Sequence, residues 1–191
     1  MLKTRRNNRH QRSITLMLFC FASTFFAYGL PTADDRIWFD INWWKQTIPS
    51  EQEGFILGYL DCSRPHVVMS ISIPDYRDYV DNIMEPKHGS HPKYVTEAIA
   101  QGWLTLKPSA PKLRGESDPL NGLSWTDDAW NRGYVEGFMQ CYSIAVSKSL
   151  VDLYNNDIDH HYASANRVND PLADVLKELL LKRKISPRDH Y

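Results

Sequence analysis

The sequence predicts an all-α fold: a small domain of about five helices, two of them related and glycine-striped and bridged by a disulfide, with room for a minor two-stranded ladder. Three observations predict it. Beyond the first 33 residues, most apolar side chains recur at helical spacing. The stretches EGFILGYLDC and RGYVEGFMQC both read Gly, aromatic, two residues, Gly, aromatic, two residues, Cys, at a constant offset of 79 residues. The cysteines that close them, Cys62 and Cys141, are the two that lie outside the N-terminal leader.

The leader is the first element. Lys3, Arg5, Arg6, Arg9 and Arg12 form a basic head with no acid, Ser13 to Leu30 is apolar apart from a few hydroxyls, and small residues follow at Ala27, Gly29 and Ala33. That order is a secretory signal peptide. It divides the chain into a signal at 1–33 and one helical domain at 34–191, with halves 34–106 and 123–191 joined by a linker at 107–122. The other reading is an uncleaved anchor with its basic end inside, because about 18 apolar residues just span a bilayer. A membrane is therefore expected only if the leader stays. The expected location is periplasmic or secreted, where two cysteines at matched positions read as a disulfide.

The chain carries 22 basic and 23 acidic residues, and the leader holds five of the basic ones, so residues 34–191 carry 17 against 23, a net charge of −6. An acidic surface argues against nucleic acid and permits a basic partner.

The helices follow in order. Ser50 with Glu53 reads as a capping box after Pro49, and Pro65 stops that first glycine helix near Cys62. Ser72 with Asp75 opens the second, whose stripe is Tyr76, Tyr79, Val80, Ile83 and Met84; Pro86 closes it. A third starts around Ser90–Pro92, carries Val95, Ala98 and Ile99, and takes Gly102 as its C-terminal cap. Ser124, Thr126 and the acids Asp127 and Asp128 open the second glycine helix, which is expected to run as far as Leu153, with Asn155 and Asn156 ending it. Asp170 caps the last helix, Pro171 opens it, and Leu172, Val175, Leu176, Leu179 and Leu180 form its buried stripe. Residues 66–73 and 103–107 alternate weakly and are the candidate strand pair.

Each glycine inside a helix costs about 1 kcal/mol against alanine, so the repeat needs a reason. Gly54, Gly58 and Cys62 fall on one stripe, as do Gly133, Gly137 and Cys141, and small stripes let two backbones approach. An antiparallel seam crossing at Gly58 and Gly137 would hold the cysteines about 12 Å apart, too far for a disulfide. The disulfide therefore requires the helices to run parallel in register or to meet as a V at their Cys ends.

The phrase E-G-F-x-x-G-Y-x-x-C resembles small exported bacterial proteins of unknown function. More loosely, it resembles the periplasmic helical immunity proteins that neutralise type VI secretion amidase effectors, which carry a Cys-containing G-Y-x-x-G helix. The likeness covers Gly54 to Cys62 and Gly133 to Cys141. It implies a protein-binding module without catalysis.

Chemistry-bearing residues are few. Asp157, Asp159, His160 and His161 form the most polar stretch; it is expected to be a partner-facing or metal-holding loop, although adjacent histidines point apart and no i, i+4 His pair is present, so no metal is assigned. His88 and His91 precede a proline and read as a loop. Glu136 lies between Gly133 and Gly137. Beside a close-packed seam it would be an acid or base of raised pKa; the plainer expectation is a surface pair with Arg132. Asp61 and Gln140 are its polar neighbours at equivalent positions of the two helices. No nucleophile motif, phosphate loop or dinucleotide fingerprint is present, and no cofactor is expected. The leading expectation is an exported, non-catalytic interaction protein with a protein partner, by class an inhibitor or immunity protein. The alternative is a small periplasmic hydrolase using the His/Asp cluster.

Overall fold

The structure, a computed structural model, describes residues 36–64, 71–85, 91–106, 120, 122, 124–125 and 127–183, together with the backbone of 67–68 and 112–113. The leader and His88 lie outside the described residues. The fold is all-α. Its helices are α1 (Ile41–Gln46), α2 (Pro49–Ser63), α3 (Ile73–Met84), α4 (Val95–Leu106), α5 (Asp128–Cys141), α6 (Lys148–Tyr162) and α7 (Leu172–Lys182). No helix among the described residues is long and apolar enough to cross a membrane.

Two of these helices were not expected. In α1, Asp40 accepts hydrogen bonds from the backbone N–H groups of Asn42 and Trp43, satisfying orphan donors of the first turn. Trp44 of α1 is buried; its indole N–H reaches Asp81 of α3, and its carbonyl accepts from the Gln52 amide of α2. The second surprise divides the expected long helix in two. α5 stops at Cys141 and Ser143 takes a positive φ of 53°, which turns the chain before Ser147 caps α6. Asn155 and Asn156 therefore sit inside α6 and end nothing.

α2 and α5 are the centre of the molecule, and both are buried over most of their surface. They run parallel and in register. Gly54 lies against Trp130 and Tyr134, and Gly58 against Tyr134; Gly133 lies against Glu51 and Phe55, and Gly137 against Phe55 and Tyr59. A Cβ on Gly58 would stand 2.8 Å from the Tyr134 carbonyl carbon, and one on Gly137 2.8 Å from that of Phe55. The pattern is reciprocal: each glycine rests on the carbonyl of the residue three before its own counterpart in the other helix. The repeat is thus a local two-fold arrangement, with glycine hydrogens aimed at backbone oxygens in Cα–H···O contacts. At the far end Cys62 and Cys141 are joined, with Cα atoms 6.0 Å apart, inside the span a disulfide allows.

Aromatic residues close over this seam. Trp130, Tyr134, Phe138 and Tyr142 stack along α5, with successive centroids 5.3, 6.2 and 5.5 Å apart. On α2, Phe55 packs against Phe39 and Trp43 at 4.8 and 4.9 Å. The buried Tyr134 hydroxyl donates to Asp61 across the pair at 2.8 Å.

The remaining helices pack around this pair. α3 starts as expected, with Ser72 accepting from the Asp75 N–H. The Tyr76 hydroxyl of α3 donates to the Ile99 carbonyl of α4. Five local expectations need correction. Asp170 does not cap α7: Pro171 holds the N-cap position without a side-chain cap, and the Asp170 carboxylate meets His161 instead. α5 is capped by Asp127, which accepts from the Trp130 N–H, rather than by Ser124 or Thr126. Ser50 does not cap α2, which begins at Pro49; its hydroxyl donates to Asp127 at the head of α5. Gly102 does not end α4 but lies within it, where a Cβ would stand 3.0 Å from the Tyr76 ring. The two-stranded ladder exists with a different partner: Val67–Val68 pairs antiparallel with Lys112–Leu113, from inside the expected linker, while residues 103–106 are helical. At the other edge, the Gly122 N–H donates to Val168 and the Leu172 N–H to Leu120, tying the approach to α5 onto the α6–α7 turn.

Candidate functional site

The parallel pairing brings the N-terminal ends of α2 and α5 together, and α6 lies beside them. Between them is a cleft of about 460 Å³ lined by Glu51, Trp125, Asp128, Ala129, Asn131, Arg132, Asp152, Asn155, Asn156 and Asp159. Four of these residues are acids and one is a base. Arg132 pairs with Asp152 at 3.0 Å, and the Trp125 indole N–H donates to Asp159 at 2.6 Å. Among the described residues, neither Glu51 nor Asp128 has a cation at ion-pair distance.

The cleft wall holds acceptors without donors. Asn131 is 6% exposed, and its Oδ1 has no hydrogen-bond partner; the Asn155 Oδ1 is likewise buried and unpartnered. Leaving such an atom unmade costs about 1–3 kcal/mol, so its presence calls for a reason.

Glu136 belongs to the same neighbourhood. The expectation of a surface pair with Arg132 is overturned: Glu136 is 1% exposed, while Arg132 turns to Asp152. Burial pushes the Glu136 carboxyl up to about 8, with Glu51 the next contributor and Asp152 adding to it; Arg132 and Lys148 oppose. At neutral pH the side chain is therefore largely protonated and neutral. Its Oε2 has no hydrogen-bond partner. Burial also raises Glu51, against the pull of Arg132 and Lys148. Glu136 and Glu51 are thus held above the usual carboxylate range by lack of water, and Glu136 also by its neighbouring carboxylates.

The polar stretch singled out from sequence is not a loop. Asp157, Asp159, His160 and His161 lie in the last turns of α6. Asp157 pairs with Arg183 at the end of α7. Asp159 holds Trp125 at the cleft rim. His161 Nε2 meets Asp170 at 2.8 Å, and its Nδ1 lies 3.2 Å from Arg167. His160 is exposed. Helical spacing separates these side chains and gives three of them tethering work on different neighbours. Among the described residues no group of three or more His, Cys, Asp or Glu side chains is arranged to hold a metal ion.

A second groove, of about 780 Å³, opens at the disulfide end. Arg36, Trp38, Tyr59, Tyr94 and Cys141 are among the residues that line it. Trp38 is 57% exposed there, with the Arg36 guanidinium 5.1 Å from its ring centre.

Sequence reading missed most of the acidic cleft, although two signals were present. The 79-residue offset aligns Asn131 with Gln52 and Glu136 with Leu57. A polar residue aligned with an apolar one, inside a stretch that must pack, marks a buried acid. The other signal is on α6, where Val151, Tyr154 and Ile158 form the inward stripe. Asp152, Asn155, Asn156 and Asp159 then share the adjoining face. Running α5 through to Leu153 hid that face. Compared with models of known protein families, with curated proteins and with solved structures, the chain matches none.

Proposed function

We propose that the chain is an exported, non-catalytic protein-interaction module, by class an inhibitor or immunity protein, and that it meets its partner at the acidic cleft. The observation that carries this reading is the composition of the cleft: an acidic rim around a buried amide acceptor, Asn131, that the protein itself leaves without a donor. A partner that brings donors satisfies it. The frame supports the same reading. Two helices locked backbone to backbone and stapled by a disulfide present a surface that changes little on binding, which limits the ordering cost of association. A disulfide suits an oxidising compartment, the setting that the leader implies.

The hydrolase alternative has less to draw on. Its Asp157, Asp159 and His161 are occupied by Arg183, Trp125 and Asp170, and they do not converge on a common point.

The test is affinity capture of the full chain, tagged at its C-terminus and expressed in its own cell. The expected result is a shortened, exported product that retains a discrete protein through a salt wash. Asp152→Lys with Asp159→Lys should lose that protein while the chain stays folded. Equal capture by the charge-reversed chain would remove the cleft from the reading. A full-length chain in the cytoplasm, with Met1 in place, would remove export.

A further inference from the structure

We infer that the occupant of the acidic cleft is a guanidinium group, the side chain of an arginine presented by a basic partner. This rests on the interaction reading above and narrows it to a chemistry.

The first argument is charge. Glu51, Asp128, Asp152 and Asp159 face one resident base, Arg132, across about 460 Å³. Their negative potential lies in a partly enclosed, low-dielectric space, where a cation is favoured more than at an open surface. The second argument is independent of charge. Asn131 on α5 and Asn155 on α6 both line the cleft, and each has a buried oxygen without a donor. Acceptors contributed by two helices suit a ligand whose donors point in several directions. A guanidinium carries five N–H donors in a planar fork, whereas an ammonium presents a compact and strongly hydrated charge. The third argument is shape. Trp125 lines the cleft with its indole N–H held by Asp159, which fixes the ring as a platform. Guanidinium planes stack on such rings while still reaching acceptors at their edges.

The resident Arg132 shows that the cleft accommodates this group. Its guanidinium already meets Asp152 at 3.0 Å. Glu51 and Asp128 have no such pair among the described residues, so the entering group has carboxylates of its own to meet.

The probe is N-acetyl-arginine-amide, titrated into the full oxidised chain and followed by nuclear magnetic resonance. The side-chain amide signals of Asn131 and Asn155 and the indole N–H of Trp125 report on the cleft. N-acetyl-lysine-amide and N-acetyl-citrulline-amide are the comparisons, the second having almost the shape of arginine without its charge. The inference expects saturable shifts of all three reporters with arginine. It expects arginine to bind about ten-fold tighter than lysine, in line with a bidentate charge-assisted contact. Citrulline should give no saturable response. Asp128→Asn, an exposed change that leaves packing intact, should weaken the arginine response several-fold. Equal responses to arginine and citrulline would overturn the inference, as would silence of the three reporters up to the solubility limit of the probe. The two readings fail separately. A partner captured through the cleft without an arginine response removes the guanidinium alone, whereas an arginine response with no captured partner removes the protein partner alone.

Discussion

At the residue scale the glycines of the central pair carry the strongest claim. On an exposed helix Gly→Ala raises stability by about 0.4–1 kcal/mol, because it restricts the unfolded chain. Here the new methyl group meets a backbone carbonyl, which cannot rotate away as a side chain can. Gly58→Ala and Gly137→Ala are each expected to lower stability by at least ~1–3 kcal/mol, read from urea unfolding, with Gly→Leu worse. Glu136 supports a second prediction. Its carboxyl is near its ordinary value when unfolded and is raised to about 8 when folded. Between these values the native state holds a proton that the unfolded chain has lost, so stability is greatest below about 4.5 and falls as pH rises through about 8. Glu51 is raised as well and adds to the same slope. Glu136→Gln keeps the shape without the titration, so its melting temperature should vary less from pH 5 to pH 9 than that of the parent. A parallel fall in both chains would place the proton elsewhere.

At the element scale, what was legible in the sequence is what local chemistry dictates. The Ser72 cap, the ends of α2 at Ser63 and of α3 at Met84, and the Leu172–Leu180 stripe all stand in the structure, since each depends on neighbours within a few residues. The errors come from effects that act across the chain. Ser50 looks like a cap by sequence, but Asp127 takes its hydroxyl from 77 residues away. Gly102 looks like a helix end until the Tyr76 ring is seen to need the space. The break after Cys141 has no proline or glycine to announce it; Ser143 takes the left-handed conformation itself. Without that break the polar face of α6 was invisible, and most of the cleft with it. α6 is fastened to α7 by Asp157 with Arg183, whose guanidinium also lies 5.4 Å from the Tyr154 ring centre. Arg183→Met keeps the stem and removes the charge. It should cost about 1–2 kcal/mol, with amide exchange rising first in α7. Unchanged exchange in α7 would make that pair incidental.

At the scale of the whole molecule, the disulfide closes a 79-residue span at one end of the central pair, and the cleft opens at the other. By the chain-entropy relation such a closure contributes about 4–5 kcal/mol. Reduction should lower the denaturation midpoint strongly, and more so in Gly58→Ala, where the seam is already loosened. Packing would then hold the frame rigid while the cleft supplies chemistry. The central claim is that this cleft is where the chain meets another protein. Site-specific photo-crosslinking in the producing cell tests it most directly, with a benzophenone side chain placed at Asn156, exposed on the cleft, and, separately, at Leu181, which is exposed on α7 and does not line the cleft. The account predicts one discrete protein adduct from position 156 and none of that mass from 181. An adduct from 181 alone, or no adduct from 156, would contradict it.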